Sequence, residues 1–383
     1  KSNDSEIQEI MEKIPDGLFL DLTARTWSDY VERIFHKEPK ETLEPKKIEF
    51  VEKTFDVDID EKENVEEQII DILRDKGRIL HIPNSRRSIW YAPKEVHEAV
   101  LTSAHIGIIS KEEQEALKND VSVVIAGVSV GASIVKSLTK LGIGNILGFD
   151  PKDIGVNHLS RIDTLSTNIG RSKAKAIQEE ITMLNPYANW KILEKSFDSR
   201  NTTPIWEKDT PLKIIVDTID DPDEKLAIRK LALEQKNIVL MVTDLGNGRI
   251  VLDIDDFRYS NTKAFGGKLD LKNEKLLKKW ETMTSSQKVA NIVGITNLNR
   301  DMMDALPGIL KNEYPSFPQL GLTSQIAGGV VANTLLNMVR GIEMKTRSVV
   351  DINRVNHKTF NYFARETFGK YLSLIKNSKL LKK

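Results

Sequence analysis

The 383 residues carry 56 Lys+Arg against 56 Asp+Glu, with 40% hydrophobic and 29% charged residues and no cysteine. Balanced charge supplies no global field for nucleic acid or a membrane surface, and neither is expected as a partner. No apolar run approaches the roughly 18 to 20 residues that cross a bilayer, no secretory leader is recognised, and a cytoplasmic location is expected. The lack of cysteine excludes disulfides, thiolate metal sites and any intermediate held on a cysteine of this chain. The histidines at 36, 81, 97, 105, 158 and 357 are scattered without metal-ligand spacing.

The length suits one large α/β domain with a smaller accessory one. Residues 1–105 are read as an α+β accessory module, a candidate substrate clamp. Within it, a helical pattern over 64–76 precedes a hairpin formed by 78–82 and 88–91 about a polar turn. A Lys/Glu-rich stretch over 37–65 reads as polar, and Trp90-Tyr91 as an exposed-looking aromatic pair that reads equally well as core. Residues 106–383 form the main domain. Strands are expected at 121–126, 145–149, 190–194, 213–217, 238–243 and 249–254, and helices at 111–117, 130–141, 171–184 and 223–236. In 171–184 the apolar positions Ala174, Ile177, Ile181 and Leu184 recur at helical spacing, and Asn185-Pro186 stops the helix. Strands alternating with helices of these lengths predict an α/β fold: a doubly wound, mostly parallel, Rossmann-like sheet. Residues 260–300 are Lys-rich and read as a mobile or crossover segment. A small-residue helix follows at 324–340, and residues 369–383 form a basic, solubilising tail.

Chemistry concentrates where the first strand of this sheet ends. The run Val121 to Ala126 is followed by Gly127-Val128-Ser129-Val130-Gly131 and then a helix. Small residues at such a turn let backbone approach a phosphate, while the helix N-terminus offers free N–H groups and positive dipole charge. Asp150, ending the second strand, can hold ribose hydroxyls. Asn157, Arg161, Lys173, Asp217 and Asp220 come next in order. Lys173 opens a helix, where a cation is unfavourable with the dipole, so a ligand-facing role explains its place better than a structural one. Asp220 falls beyond the carboxyl edge, where open α/β sheets bind ligands. His158 reads as a packing or surface residue, because no partner to orient it is evident.

This order of motifs resembles the ThiF-type, ubiquitin-activating-like adenylating superfamily, and within it a divergent branch with a G-x-S-V-G loop. The resemblance covers 109–258 well and the helix at 324–340 more loosely. It implies a nucleotide-binding adenylation domain using ATP and Mg²⁺. Arg161, Lys173 and Asp220 would be catalytic, with Asp220 the metal ligand, and Gly127, Ser129, Gly131, Asp150 and Asn157 would bind the nucleotide. The implied reaction activates a carboxylate (a small molecule, or a peptide or protein C-terminus) as an acyl-adenylate, without a cysteine thioester step. A homodimer is implied as well, with helix 324–340 or its surroundings at the interface. The sequence departs from the superfamily in lacking an arginine between 88 and 160, so an N-terminal arm arginine would have to be Arg86 or Arg87. Two other readings fit the first β–α–β unit: an NAD- or FAD-binding oxidoreductase, and a nucleotide-binding scaffold without turnover.

Overall fold

The computed structural model describes residues 18–82, 87–198, 210–311, 313–314, 318–356 and 369. It divides into two compact units, Lys1–Lys111 with Thr182–Ala188, and Glu112–Ile181 with Asn189–Lys383.

In the first unit, β1 (Leu18–Asp21) runs parallel to β3 (Arg87–Tyr91), which pairs antiparallel with β2 (Arg78–Ile82). Around them lie α1 (Thr23–Ile34), α2 (Lys40–Phe55), α3 (Val65–Lys76) and α4 (Lys94–Leu101). The core gathers Trp27, Val51, Ile69, Leu73 and Val96, and Trp27 stacks on Tyr30 with ring centroids 5.4 Å apart. The stretch read as polar over 37–65 therefore contains a helix of 16 residues. Its buried Ile48 and Val51 are sparse enough among charges to hide the apolar face. Of the two aromatic readings, core is the one that holds for Tyr91: its side chain is buried, and its hydroxyl donates to the Met183 carbonyl at 3.1 Å. Asn185-Pro186-Tyr187 ends its helix as expected, and the Tyr187 hydroxyl donates to the Ala92 carbonyl at 2.6 Å.

The second unit is built on a seven-stranded sheet. In chain order its elements are α5 (Lys111–Asn119), β4 (Val121–Ile125), α6 (Gly131–Leu141), β5 (Asn145–Phe149), α7 (Lys173–Leu184), β6 (Asn189–Leu193), β7 (Leu212–Asp217), α8 (Pro222–Gln235), β8 (Ile238–Asp244), β9 (Arg249–Asp256), α9 (Glu274–Glu281), α10 (Ser285–Val293), α11 (Arg300–Leu310), α12 (Gly321–Val339) and β10 (Arg347–Asp351). The strand order is β10-β9-β8-β7-β4-β5-β6. Strands β4 to β8 are mutually parallel, while β9 and β10 join antiparallel. The architecture is α/β, doubly wound and mostly parallel. Every residue of β4 and β5 is buried, as a strand covered on both faces requires.

Two segments behave differently from their composition. Residues 260–300 are packed rather than mobile: Phe265 stacks on Trp280 at 5.3 Å, and Leu271, Trp280 and Ile292 join the core. Thr284 and Gln287 close a reciprocal cap on α10. Most of the lysines lie on the outside of helices whose apolar face is spent inward, whereas Lys288 is buried and pairs with Asp223 at 2.7 Å. Helix α12 uses its small residues on α6, where a Cβ at Gly328 would lie 2.7 Å from the Ser133 carbonyl oxygen. Gly329, by contrast, faces open space. Residues 370–383 of the basic tail lie outside the described residues.

Candidate nucleotide site

Strand β4 has β5 on one side and β7 on the other, and the chain winds outward in opposite directions from it. The crevice at the carboxyl ends of such strands is where open α/β sheets take ligands. The loop from Gly127 to Val130 crosses this edge and enters α6. Only glycine fits at position 131, since a Cβ would lie 2.9 Å from Ile125 Cγ2. The Gly127–Val128 peptide is gripped from both sides. Its carbonyl accepts from the Thr218 hydroxyl at 2.6 Å, just past β7, and its N–H donates to Asp150 Oδ2 at 3.2 Å, just past β5. No side chain caps α6, so its leading N–H groups and dipole face the loop. Ser129 sits half-buried in that loop, its carbonyl accepting from Ala132 at 3.3 Å.

Between β5 and α7 the chain makes an excursion held together by its own backbone. Ile154 donates to Arg171, Gly170 to Ile154, and Lys173 to Lys152, at 2.9, 2.8 and 3.0 Å. Lys136 pins the far side by pairing with Asp163 and Glu180. Asp150 is buried, and its second oxygen accepts from Lys152 N–H at 2.9 Å. A carboxylate has about four acceptor positions, so two backbone bonds leave room for hydroxyls. A short 3-10 turn over Val156–His158 then leads to Arg161. The Arg161 carbonyl accepts from Ser324 Oγ at 2.9 Å, and its Nε is buried without a hydrogen-bond partner.

Lys173 is the focus of the site. It is the first residue of α7, is 3% exposed, and among the described residues its ammonium has no hydrogen bond or ion pair. Burial pushes its pKa down; Asp150 and Asp220 oppose that, while Lys152 and Arg161 add to it. Asp150, Arg161 and Asp220, far apart in sequence, thus all act electrostatically on this ammonium. Asp220 stands exposed in the loop past β7, while its neighbour Asp221 caps α8 by accepting from Asp223 and Glu224. Asn157 is exposed at the margin, and no hydrogen bond ties its side chain to the cluster. Arg86 and the side chain of Arg87 lie outside the described residues. Among the described residues no group of three or more His, Cys, Asp or Glu could hold a metal by itself.

Asp217, which ends β7, is wholly internal. It pairs with Arg229 at 2.6 Å and Lys225 at 2.9 Å, and Arg229 bridges on to Asp255 at 2.9 Å. The Arg229 guanidinium also lies over the Phe265 ring, 4.1 Å from its centroid. This network fixes the strand end from which Thr218 and Asp220 emerge. Sequence reasoning missed Thr218, Ser324, Arg229 and the partner of His158, whose Nδ1 accepts from the Gly155 N–H at 2.8 Å. No pattern in the chain signals them, because most are contacts made across long sequence separations.

With this geometry in place, comparison with known proteins is decisive for the family: residues 102–370 match ThiF. The chain belongs to the ThiF family. Every residue of the site described above falls within the matched segment. Over 120 residues the chain is 25% identical to the tRNA threonylcarbamoyladenosine dehydratase of Haemophilus influenzae. That region is 31% of this chain and 44% of the dehydratase, so it spans less than half of that relative. Solved structures with a similar course include PaaA (TM-score 0.47, 16% identity, 68% of this chain and 81% of that one). Escherichia coli MccB with ATP gives 0.43 and 16%, covering 65% and 63%. The E. coli tRNA N6-threonylcarbamoyladenosine dehydratase TcdA gives 0.44 and 15%, covering 63% and 95%.

Proposed function

We propose that this ThiF-family chain is an ATP-dependent adenylyltransferase that activates a carboxylate, a peptide or protein C-terminus among the candidates, as an acyl-adenylate. The observation that carries this reading is the buried Lys173 ammonium, without a hydrogen bond or ion pair among the described residues, under the charges of Arg161 and Asp220 and in a site with a helix N-terminus that no described side chain caps. Burying a cation without a direct hydrogen-bonded partner is costly unless a ligand supplies one.

In the reaction a carboxylate oxygen attacks the α-phosphorus, the bond to the bridging oxygen breaks, and pyrophosphate leaves with the displaced charge. Lys173 and Arg161 would meet the negative charge that builds on the phosphate oxygens, which is where preorganised cations are most effective. The loop of Gly127, Ser129 and Gly131 with the start of α6 would cradle phosphate. Asp150 would hold the ribose, and Asn157 would contact phosphate or ribose from the margin. Asp220 is the carboxylate suited to Mg²⁺, which when bound would neutralise phosphate oxygens. Because the chain has no cysteine, the acyl group must pass to an amine, a hydroxyl or a sulfur of another molecule. The module of residues 1–105, nearly all of it outside the matched segment, is assigned the handling of the substrate. The homodimer is proposed to use the outward face of α12, where the exposed Gly329 and Asn333 line a pocket together with Ser348 and Val350 of β10. No helix among the described residues is long and apolar enough to cross a membrane, and a cytoplasmic site of action is proposed.

Isothermal titration with ATP·Mg²⁺, NAD and FAD, followed by pyrophosphate–ATP exchange with candidate carboxylates, tests the reading. Asp220→Ala and Arg161→Ala should each lower exchange more than tenfold, about 1.4 kcal/mol or greater in the barrier. Binding of NAD or FAD without ATP would favour an oxidoreductase and overturn the proposal. ATP binding without exchange, unaltered by Asp220→Ala, would leave a scaffold.

A further inference from the structure

We infer that His158 is a further nucleotide-contacting residue, whose Nε2–H donates a hydrogen bond to a phosphate oxygen of the bound nucleotide. The inference rests on the nucleotide reading above, and names within that site a residue to which the sequence assigned only packing. The deciding contact is the backbone N–H of Gly155, 2.8 Å from His158 Nδ1. An amide N–H can only donate, so Nδ1 must present its lone pair, and the single proton of the neutral ring then resides on Nε2. A doubly protonated ring would set two N–H groups against each other at that contact.

The surroundings favour the same state. Burial lowers the His158 pKa, and Lys173, Arg161 and Lys152 lower it further, with Asp150 alone opposing. The ring is thus a neutral donor among three cations, a setting that fits an anion from the ligand. Its neighbour Asn157 is exposed, and its Oδ1 crowds Gly155, where an added Cβ would come within 2.8 Å of it. Glycine at 155 keeps that crowded approach open and lets its amide reach the imidazole. Of the two adjacent polar residues, His158 is the one whose carbonyl accepts from the Arg161 N–H, at 3.0 Å, and whose ring feels the Lys173 charge.

The test is titration of the full chain with ATP·Mg²⁺, ADP·Mg²⁺ and adenosine. His158→Leu should weaken ATP and ADP about tenfold or more, the range for a lost hydrogen bond to a charged group, with adenosine unchanged. His158→Gln, whose amide can present a donor near the Nε2 position, should recover binding to within about threefold of the wild type. Unchanged ATP affinity in His158→Leu would overturn the inference, as would equal losses for ATP and adenosine, or a glutamine variant no better than leucine. Nitrogen-15 spectra of the histidine-labelled wild type give an answer that needs no variant to fold. They should show Nδ1 bare and Nε2 protonated at pH 7, and the opposite tautomer or a charged ring would refute it. If the wild type binds ATP while these outcomes fail, only His158 is misassigned; if the wild type binds no ATP, the adenylyltransferase reading falls with it.

Discussion

Replacing Lys173 by methionine should stabilise the ligand-free protein while destroying its response to ATP. The side chain is 3% exposed and, among the described residues, has no hydrogen bond or ion pair, so its charge opposes folding. Methionine keeps the length and removes the charge. Relief of a functional strain of this kind is typically about 0.5–2 kcal/mol, which for a domain of this size is roughly 2–4 °C per kcal/mol in Tm. The pH dependence has a definite sign. Burial holds the Lys173 pKa below its ordinary value, so the unfolded chain binds more protons in the window between the two pKa values. Wild-type stability therefore gains as pH rises through that window, and the advantage of the variant shrinks there. With ATP·Mg²⁺ at about 100 times its Kd, the wild type should gain roughly 2.7 kcal/mol. The variant should lose most of that gain, because a charge-assisted contact contributes about 1.5–3 kcal/mol. Thermal melts at pH 7 and in a series up to pH 10, with and without ATP, measure both effects. A variant that melts lower without ligand, yet keeps the full ATP shift, would show that the ammonium is a structural group and would refute the reasoning.

Two further expectations concern stability. Arg229→Met should destabilise by about 3–5 kcal/mol in urea unfolding, because Asp217 and Asp255 would keep their charges in the interior without the guanidinium between them; a loss under 1 kcal/mol would mean that the carboxylates are not charged there. Burial pushes the Asp244 carboxyl up to about 6, although the Gly246 N–H at 2.7 Å opposes the shift. The stability this group contributes is present below the unfolded carboxylate pKa and is lost as pH rises through about 6, a change on the order of 3 kcal/mol at most. Asp244→Asn should therefore be the more stable protein at pH 7 and lose its advantage by pH 4, and a pH-independent difference between the two would contradict the assignment.

Periodicity marked six of the seven strands of the sheet, and the edge strand β10 (Arg347–Asp351) was added by the structure. Runs such as Val121 to Ile125 and Ile214 to Val216 are too uniformly apolar for anything but buried strands, and helical spacing between them forces parallel crossovers. The glycine loop and the ordered polar residues Asp150, Arg161, Lys173 and Asp220 were legible because each stands at a strand end or helix start, positions set by local pattern. What local pattern cannot carry is which residues meet. Arg229 reads as one more helix-surface cation until β7 and β9 bring Asp217 and Asp255 to it. The lysines of 260–300 read as solvated until Phe265 and Trp280 pack beneath them. Asn157 and His158 are equally polar neighbours in the chain, and only the three-dimensional structure brings the Gly155 amide onto the imidazole and leaves the asparagine exposed. Sequence pattern sets the backbone through short-range sterics and periodic burial, whereas charge pairing and side-chain direction depend on groups joined only when distant segments close on one core.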